Sequence, residues 1–310
     1  MSERAAPLRV GVRVPHATFA GGAERLHATL ATVEALGFDH VTLGDHVSFR
    51  GGRGYDGLVQ AAAVVAASPR LPVHLAVYLL ALRHPVLVAR QLASLAELAP
   101  GRVVFGVGVG GDDRHEVEVC GVDPTVRGHR TDEALEIVRG LLAGEPVTFH
   151  GACFDVDDAR ILPAPSPPIP ILVGGRSDAA VRRAARFADG WIGVWVTPER
   201  FAATAEAVEV GAAGFGRGAT AWRHELLVWC GFGETRGAAR ASLAPAMEDL
   251  YRIPFERFER TSPYGTPADV AGALSAYVDA GAHTIDVIAV GADQQQALEA
   301  AAAARERLLA

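Results

Sequence analysis

The sequence predicts an α/β fold, a (β/α)₈ TIM barrel with insertions after strand 4 and after strand 7. Three observations lead there. Eight apolar, β-branched runs alternate with longer segments of helical period, the rhythm of parallel strands each followed by a covering helix. Most of the runs are continuously apolar, as strands covered on both faces are. A chain of 310 residues that is 50% hydrophobic has the ordinary size of one such barrel, so residues 1–310 are expected to form a single domain.

Taken in order, the strand candidates are Leu8–Val14, His40–Gly44, Val73–Leu80, Val103–Val109, Pro170–Val173, Trp191–Val196, Glu225–Phe232 and Thr284–Val290. Between them, Thr197-Pro198-Glu199 and Thr266-Pro267-Ala268-Asp269 mark helix starts, a hydroxyl cap followed by proline at the first helical position. Leu36-Gly37-Phe38-Asp39 and Ala280-Gly281-Ala282 return the chain from helix to strand through glycine. The rhythm breaks twice. Approximately residues 145–169 read as an insertion, with a hairpin turn at Phe149-His150-Gly151 and five prolines from Pro163 to Pro170. Approximately residues 241–263, Ala241 to Pro263, carry aromatics and arginines without a clean helical period and read as a lid. The run Ala300–Ala304 is a strong helix former.

Composition removes several functions. A net charge of −7 and a pI near 5.9 argue against a phosphate-backbone footprint, so nucleic acid is not an expected partner. All 29 basic residues are arginine, which excludes a Schiff-base lysine, a P-loop lysine and a lysine base. The 3 cysteines, Cys120, Cys153 and Cys230, are odd in number and far apart, so neither a disulfide framework nor a thiol metal site is expected. The chain has no apolar run of about 18 residues and no basic-then-apolar start, so a cytoplasmic protein without membrane contact is expected.

Asp45-His46 stands where the second strand should end, and barrel enzymes draw catalytic groups from strand C-termini. An Asp-His pair can equally cap a turn and fill a polar hole, but its position favours chemistry. Histidine can exchange a proton near neutral pH, and the neighbouring carboxylate can orient the imidazole or accept a hydrogen bond from a bound ring. Gly106, Gly108 and Gly111 satisfy the G-x-G-x-x-G pattern, but the charged stretch Asp112–Glu116 that follows is expected to be a loop rather than a phosphate-holding helix. These glycines would instead let a planar cofactor lie against backbone. Gly174-Gly175-Arg176-Ser177 opens a helix after the fifth strand, an anion site or a plain capped turn, and Arg182 and Arg183 one turn on would strengthen either. His74, His84, Asp112, Asp113, His115 and Glu116 lack metal-ligand spacing; solvated-loop or cofactor-edge roles are expected for them and no metal. Trp191 and Trp195, four apart in one strand, should share a face, with core packing the default.

Five segments in order carry a resemblance: Gly37-Phe38-Asp39 leading to Gly44-Asp45-His46; Leu82-Arg83-His84-Pro85 continuing to Gln91; Pro100-Gly101-Arg102; Arg127-Gly128-His129-Arg130; and Pro170-Ile171-Leu172-Val173-Gly174-Gly175. In these the chain resembles the luciferase-like flavin and F420-dependent oxidoreductases over nearly its whole length, and especially the F420-using branch. The resemblance implies F420 as cofactor, hydride transfer between the deazaflavin C5 and a small organic substrate, and a pair of barrels as homodimer. It places Asp45 and His46 beside the ring, with His46 as proton donor or acceptor. It also implies a third-strand bulge, with a cis peptide, near Ala76-Val77 against the cofactor. Gly108, Gly110 and Gly111 would hold the ring edge, and Gly174, Gly175, Arg176 and Ser177 the phosphate-bearing tail. The chain departs from the sugar-phosphate-oxidising relatives, with Gly111 where they have glutamate and Phe49-Arg50 where they have tryptophan, so that substrate is not expected. Two alternatives stand beside this reading: an FMN-dependent monooxygenase using reduced flavin and O₂, and a non-catalytic barrel that binds a flavin-like ligand or a partner protein. Substrate choice would rest on the loops Phe49–Tyr55, Asp112–Cys120 and Ala241–Pro263, aromatic and arginine-rich.

Overall fold

A computed structural model of the chain describes residues 7–111 and 113–310. Its strands are β1 (Arg9–Arg13), β2 (Val41–Leu43), β3 (Val73–Leu79), β4 (Val103–Gly108), β5 (Val147–His150), β6 (Asp155–Ala159), β7 (Ile171–Gly174), β8 (Gly190–Val194), β9 (Glu225–Phe232), β10 (Tyr264–Gly265) and β11 (Thr284–Val290). The parallel order β9-β11-β1-β2-β3-β4-β7-β8, closed by β8 pairing with β9, is an eight-stranded barrel surrounded by helices. Each of the eight predicted apolar runs contributes one barrel strand.

The departures from that rhythm have local causes. Strands β5 and β6 form the antiparallel hairpin of the insertion, turning through Gly151. The stretch from Ala241 is not irregular. It continues a helix, Arg236–Tyr251, capped by Thr235, whose buried stripe Ala239, Leu243, Ala244 and Met247 packs under Trp229 and Phe255. An internal Pro245 and the left-handed Arg252 at the end blur its period in the sequence. The charged stretch after β4 is also not a loop: Arg114–Val119 is helical, with Asp113 accepting from the His115 amide as its cap. Asp112 lies outside the described residues. Among the described residues no helix is long and apolar enough to cross a membrane.

Near the strand starts the barrel interior is polar. His40 Nε2 lies 2.5 Å from Asp286 Oδ1, Thr42 donates to the same oxygen at 2.9 Å, and the His40 and His74 rings stack at 3.8 Å. His74 lies 3.0 Å from Glu225 and is buried, not in the solvated or cofactor-edge position expected of it. Burial, with Arg9 and Arg223 nearby, lowers its pKa from 6.5 to about 4 despite the opposing Asp286. The unfolded chain therefore binds a proton between those values that the folded chain refuses, so this group's contribution to stability is complete above pH 6.5 and is lost as the pH falls towards about 4. The melting temperature of His74→Gln should fall less steeply across that window than that of the wild type, with about one proton fewer taken up on unfolding.

Candidate active site

At the opposite end, the C-terminal ends of all eight barrel strands enclose a cavity of about 610 Å³. That is within the size of a small-molecule site. Its floor is the middle of β3, where the register against β4 shifts between Leu75 and Tyr78 and the Ala76-Val77 peptide is cis. Gly108 and Gly174, at the ends of β4 and β7, seat this bulge: a Cβ on Gly108 would overlap the Val77 side chain, and one on Gly174 would stand 3.0 Å from it. Gly110 and Gly111 follow along the wall with φ of 68° and 136°, and Gly175 has 128°, conformations that glycine adopts without strain.

Asp45 and His46 leave β2 side by side but do different things. The Asp45 carboxylate is buried, and both oxygens are spent: Oδ1 accepts from the Gly57 amide at 2.9 Å and Arg83 Nη2 at 2.7 Å, Oδ2 from the Leu79 amide at 2.9 Å and Arg83 Nη1 at 2.5 Å. Burial pushes this carboxyl up, and the bidentate Arg83 opposes it. Arg83 lies over the Tyr78 ring at 4.4 Å and reaches Asp56 at 2.9 Å, so Asp45 ties the end of β2 to β3 and to the following helix.

The carboxylate on His46 is Glu116, not Asp45. His46 Nδ1 lies 3.1 Å from Glu116 Oε2 and 3.2 Å from Oε1, and the ring stacks on Phe49 at 4.1 Å. Glu116 also accepts from the amides of Val47 at 2.7 Å and Ser48 at 3.2 Å. Burial raises this carboxyl, but the bonds from His46 and the two amides outweigh it and hold Glu116 below the usual range. With Nδ1 engaged, Nε2 is the nitrogen left to a ligand. The sequence signal for Glu116 was present, since Asp113 followed three residues later by Glu116 is a helix-start pattern.

The helix Asp178–Phe187 starts just after Gly174, Gly175 and Arg176, which are among the lining residues. Ser177 is exposed and outside that lining. Its hydroxyl accepts from the Ala180 amide and caps the helix. Arg183 is engaged with Asp132. Trp191 and Trp195 do not share a face: Trp191 is core, donating to the Gly175 carbonyl, whereas Trp195, left-handed at φ 51°, turns its ring to Tyr251 and to the Arg176 guanidinium at the cavity wall. Leu250 and Tyr251 close the cavity from the helix that the sequence had suggested as a lid. Arg13 and His16, beyond the reach of the sequence argument, line it beside Asp45 and His46.

A family model described as luciferase-like monooxygenase matches residues 7–255. The chain belongs to the luciferase-like family. It is 48% identical to an uncharacterised protein of Mycobacterium tuberculosis over 134 residues, 43% of this chain and 46% of that protein. It is 35% identical to an F420-dependent glucose-6-phosphate dehydrogenase of Microbacterium testaceum over 192 residues, 60% of this chain and 56% of the relative. The chain thus spans roughly half the length of the curated relatives it matches. Among solved structures, an F420-dependent secondary alcohol dehydrogenase holding an F420-acetone adduct superposes with a TM-score of 0.84 at 20% identity, covering 97% of this chain and 99% of that one. That likeness shows the (β/α)₈ barrel fold.

Proposed function

We propose that the chain is an F420-dependent oxidoreductase acting on a small organic substrate, with His46 exchanging the proton that accompanies hydride transfer. The observation that carries this reading is His46, held by Glu116 at the wall of a cavity floored by the Ala76-Val77 bulge. Its support in sequence is the set of F420-dependent relatives. The cavity fits the cofactor: bare glycine backbone and apolar side chains (Val77, Ile192, Leu227) suit a planar ring, and Arg176 with the helix start after Gly175 suits a phosphate. Val77, Gly108, Gly110 and Gly111 would hold the ring, and Gly174, Gly175, Arg176 and the amides after Ser177 the tail. When bound, F420 accepts or donates hydride at C5. The chain's own part is to exclude water, to orient the substrate and to pass a proton through His46 Nε2. Asp45 acts by fixing the backbone beneath His46. The sugar phosphate of the dehydrogenase relatives is not carried over, because Gly111 and Phe49-Arg50 stand where the resemblance would call for a glutamate and a tryptophan.

The test is a pair of fluorescence titrations, with F420 and with FMN. The expected result is F420 binding at least about tenfold tighter than FMN. Selective FMN binding with substrate-dependent oxygen consumption would overturn the cofactor assignment in favour of a flavin monooxygenase.

A further inference from the structure

Of the two acids that line the cavity, Asp45 is taken by Arg83, and Glu116 by His46 and two amides. Among the described residues Arg53 pairs with Asp249, whereas Arg13, the last residue of β1, is in no ion pair. Its Nη1 donates to the Ala76 carbonyl at 3.0 Å, directly on the bulge. Its Nη2 lies against Gly44, where any Cβ would overlap it. The missing side chain at Gly44 is thus what admits the guanidinium to the cavity floor. His16 lines the same side, and burial together with the facing Arg13 and His46 lowers its pKa to about 4. The cavity therefore sets the Arg13 guanidinium beside an imidazole that is neutral near pH 7, and both carboxylates of its lining are already engaged; Tyr251 and the buried Asp286 act on Arg13 electrostatically. A guanidinium anchored on a carbonyl through Nη1, its N–H groups lying in one plane, matches a planar oxyanion.

We propose that Arg13, with His16 beside it, forms an anion subsite that receives a planar oxyanion of the bound ligand. The anion has two sources, a carboxylate on the substrate or the ring oxygens of the deazaflavin. Only the second rests on the F420 reading.

The experiment is calorimetric titration with benzoate, a planar carboxylate, of the full chain alone and saturated with F420, in wild type, Arg13→Met, Arg13→Lys and Gly44→Ala. F420 affinity is measured in each. Benzoate binding to the F420-saturated wild type that weakens at least about tenfold in Arg13→Met, and less in Arg13→Lys, assigns the anion to the substrate. Benzoate displaced by F420, or F420 affinity weakened about tenfold or more by Arg13→Met, assigns it to the ring. Should Arg13→Met fail to fold, Gly44→Ala decides, because it displaces the guanidinium and keeps the charge. A chain that binds benzoate through Arg13 but binds no F420 retains the subsite and loses the cofactor assignment. Benzoate and F420 affinities both unchanged by these substitutions would overturn the proposal.

Discussion

Asp45→Asn is expected to cost about 3–5 kcal/mol of folding stability, the range for breaking a buried ion pair by removing one partner. Four donors converge on this carboxylate: two backbone amides and both ends of the Arg83 fork. The Arg83 side chain is only 16% exposed and Asp45 is 0% exposed, so solvent screens the pair little. Asparagine keeps one acceptor oxygen but turns an NH₂ group towards an amide or a guanidinium, leaving Arg83 only the more exposed Asp56. For a chain of 310 residues the melting temperature should drop on the order of 10 °C, measured by thermal unfolding at constant pH. A ligand-contacting aspartate would behave differently: its loss would spare the fold and weaken only cofactor binding. A melting temperature within about 2 °C of wild type would refute the structural role assigned here.

The barrel was legible because its signal is local. Each of the eight strands is a run of buried, mostly apolar residues, and caps such as Thr197 and Thr266, which accept from the amides of Arg200 and Asp269, are written in adjacent residues. The Ala76-Val77 bulge came from resemblance alone, since no propensity marks it. What stayed hidden depends on distance along the chain. Glu116 meets His46 across 70 residues, and His40 meets Asp286 across 246, so neither pairing has a spacing to read. The Asp45-His46 dipeptide misled for the same reason. Adjacency suggested that the carboxylate serves the imidazole, but consecutive residues at a strand end point different ways, and each found its partner elsewhere. Trp195 escaped the two-residue period because a left-handed backbone ends β8 just before it contributes.

In the proposed reaction, the His46–Glu116 pair separates proton transfer from binding. His46→Gln removes the exchangeable nitrogen but retains a polar side chain over Phe49. Turnover, followed by F420 absorbance on whichever substrate the wild type converts, should fall about 10²–10⁴-fold, the usual worth of a positioned acid or base. F420 affinity should stay within about threefold, because in the proposed site the bulge and the glycines packed on it, not the imidazole, would seat the ring. Glu116→Gln tests the support behind it. The amide oxygen can still accept from Val47 or Ser48, so the chain after β2 keeps its course, but the charge that fixes which imidazole nitrogen carries the proton is gone. A smaller loss than in His46→Gln is expected, confined to kcat, and the double variant should be no worse than His46→Gln alone, since Glu116 acts on the reaction only through the imidazole. Additive losses in the double variant would mean that Glu116 touches the substrate itself, and an unchanged kcat in His46→Gln would move the proton transfer to another group of the cavity lining, such as His16.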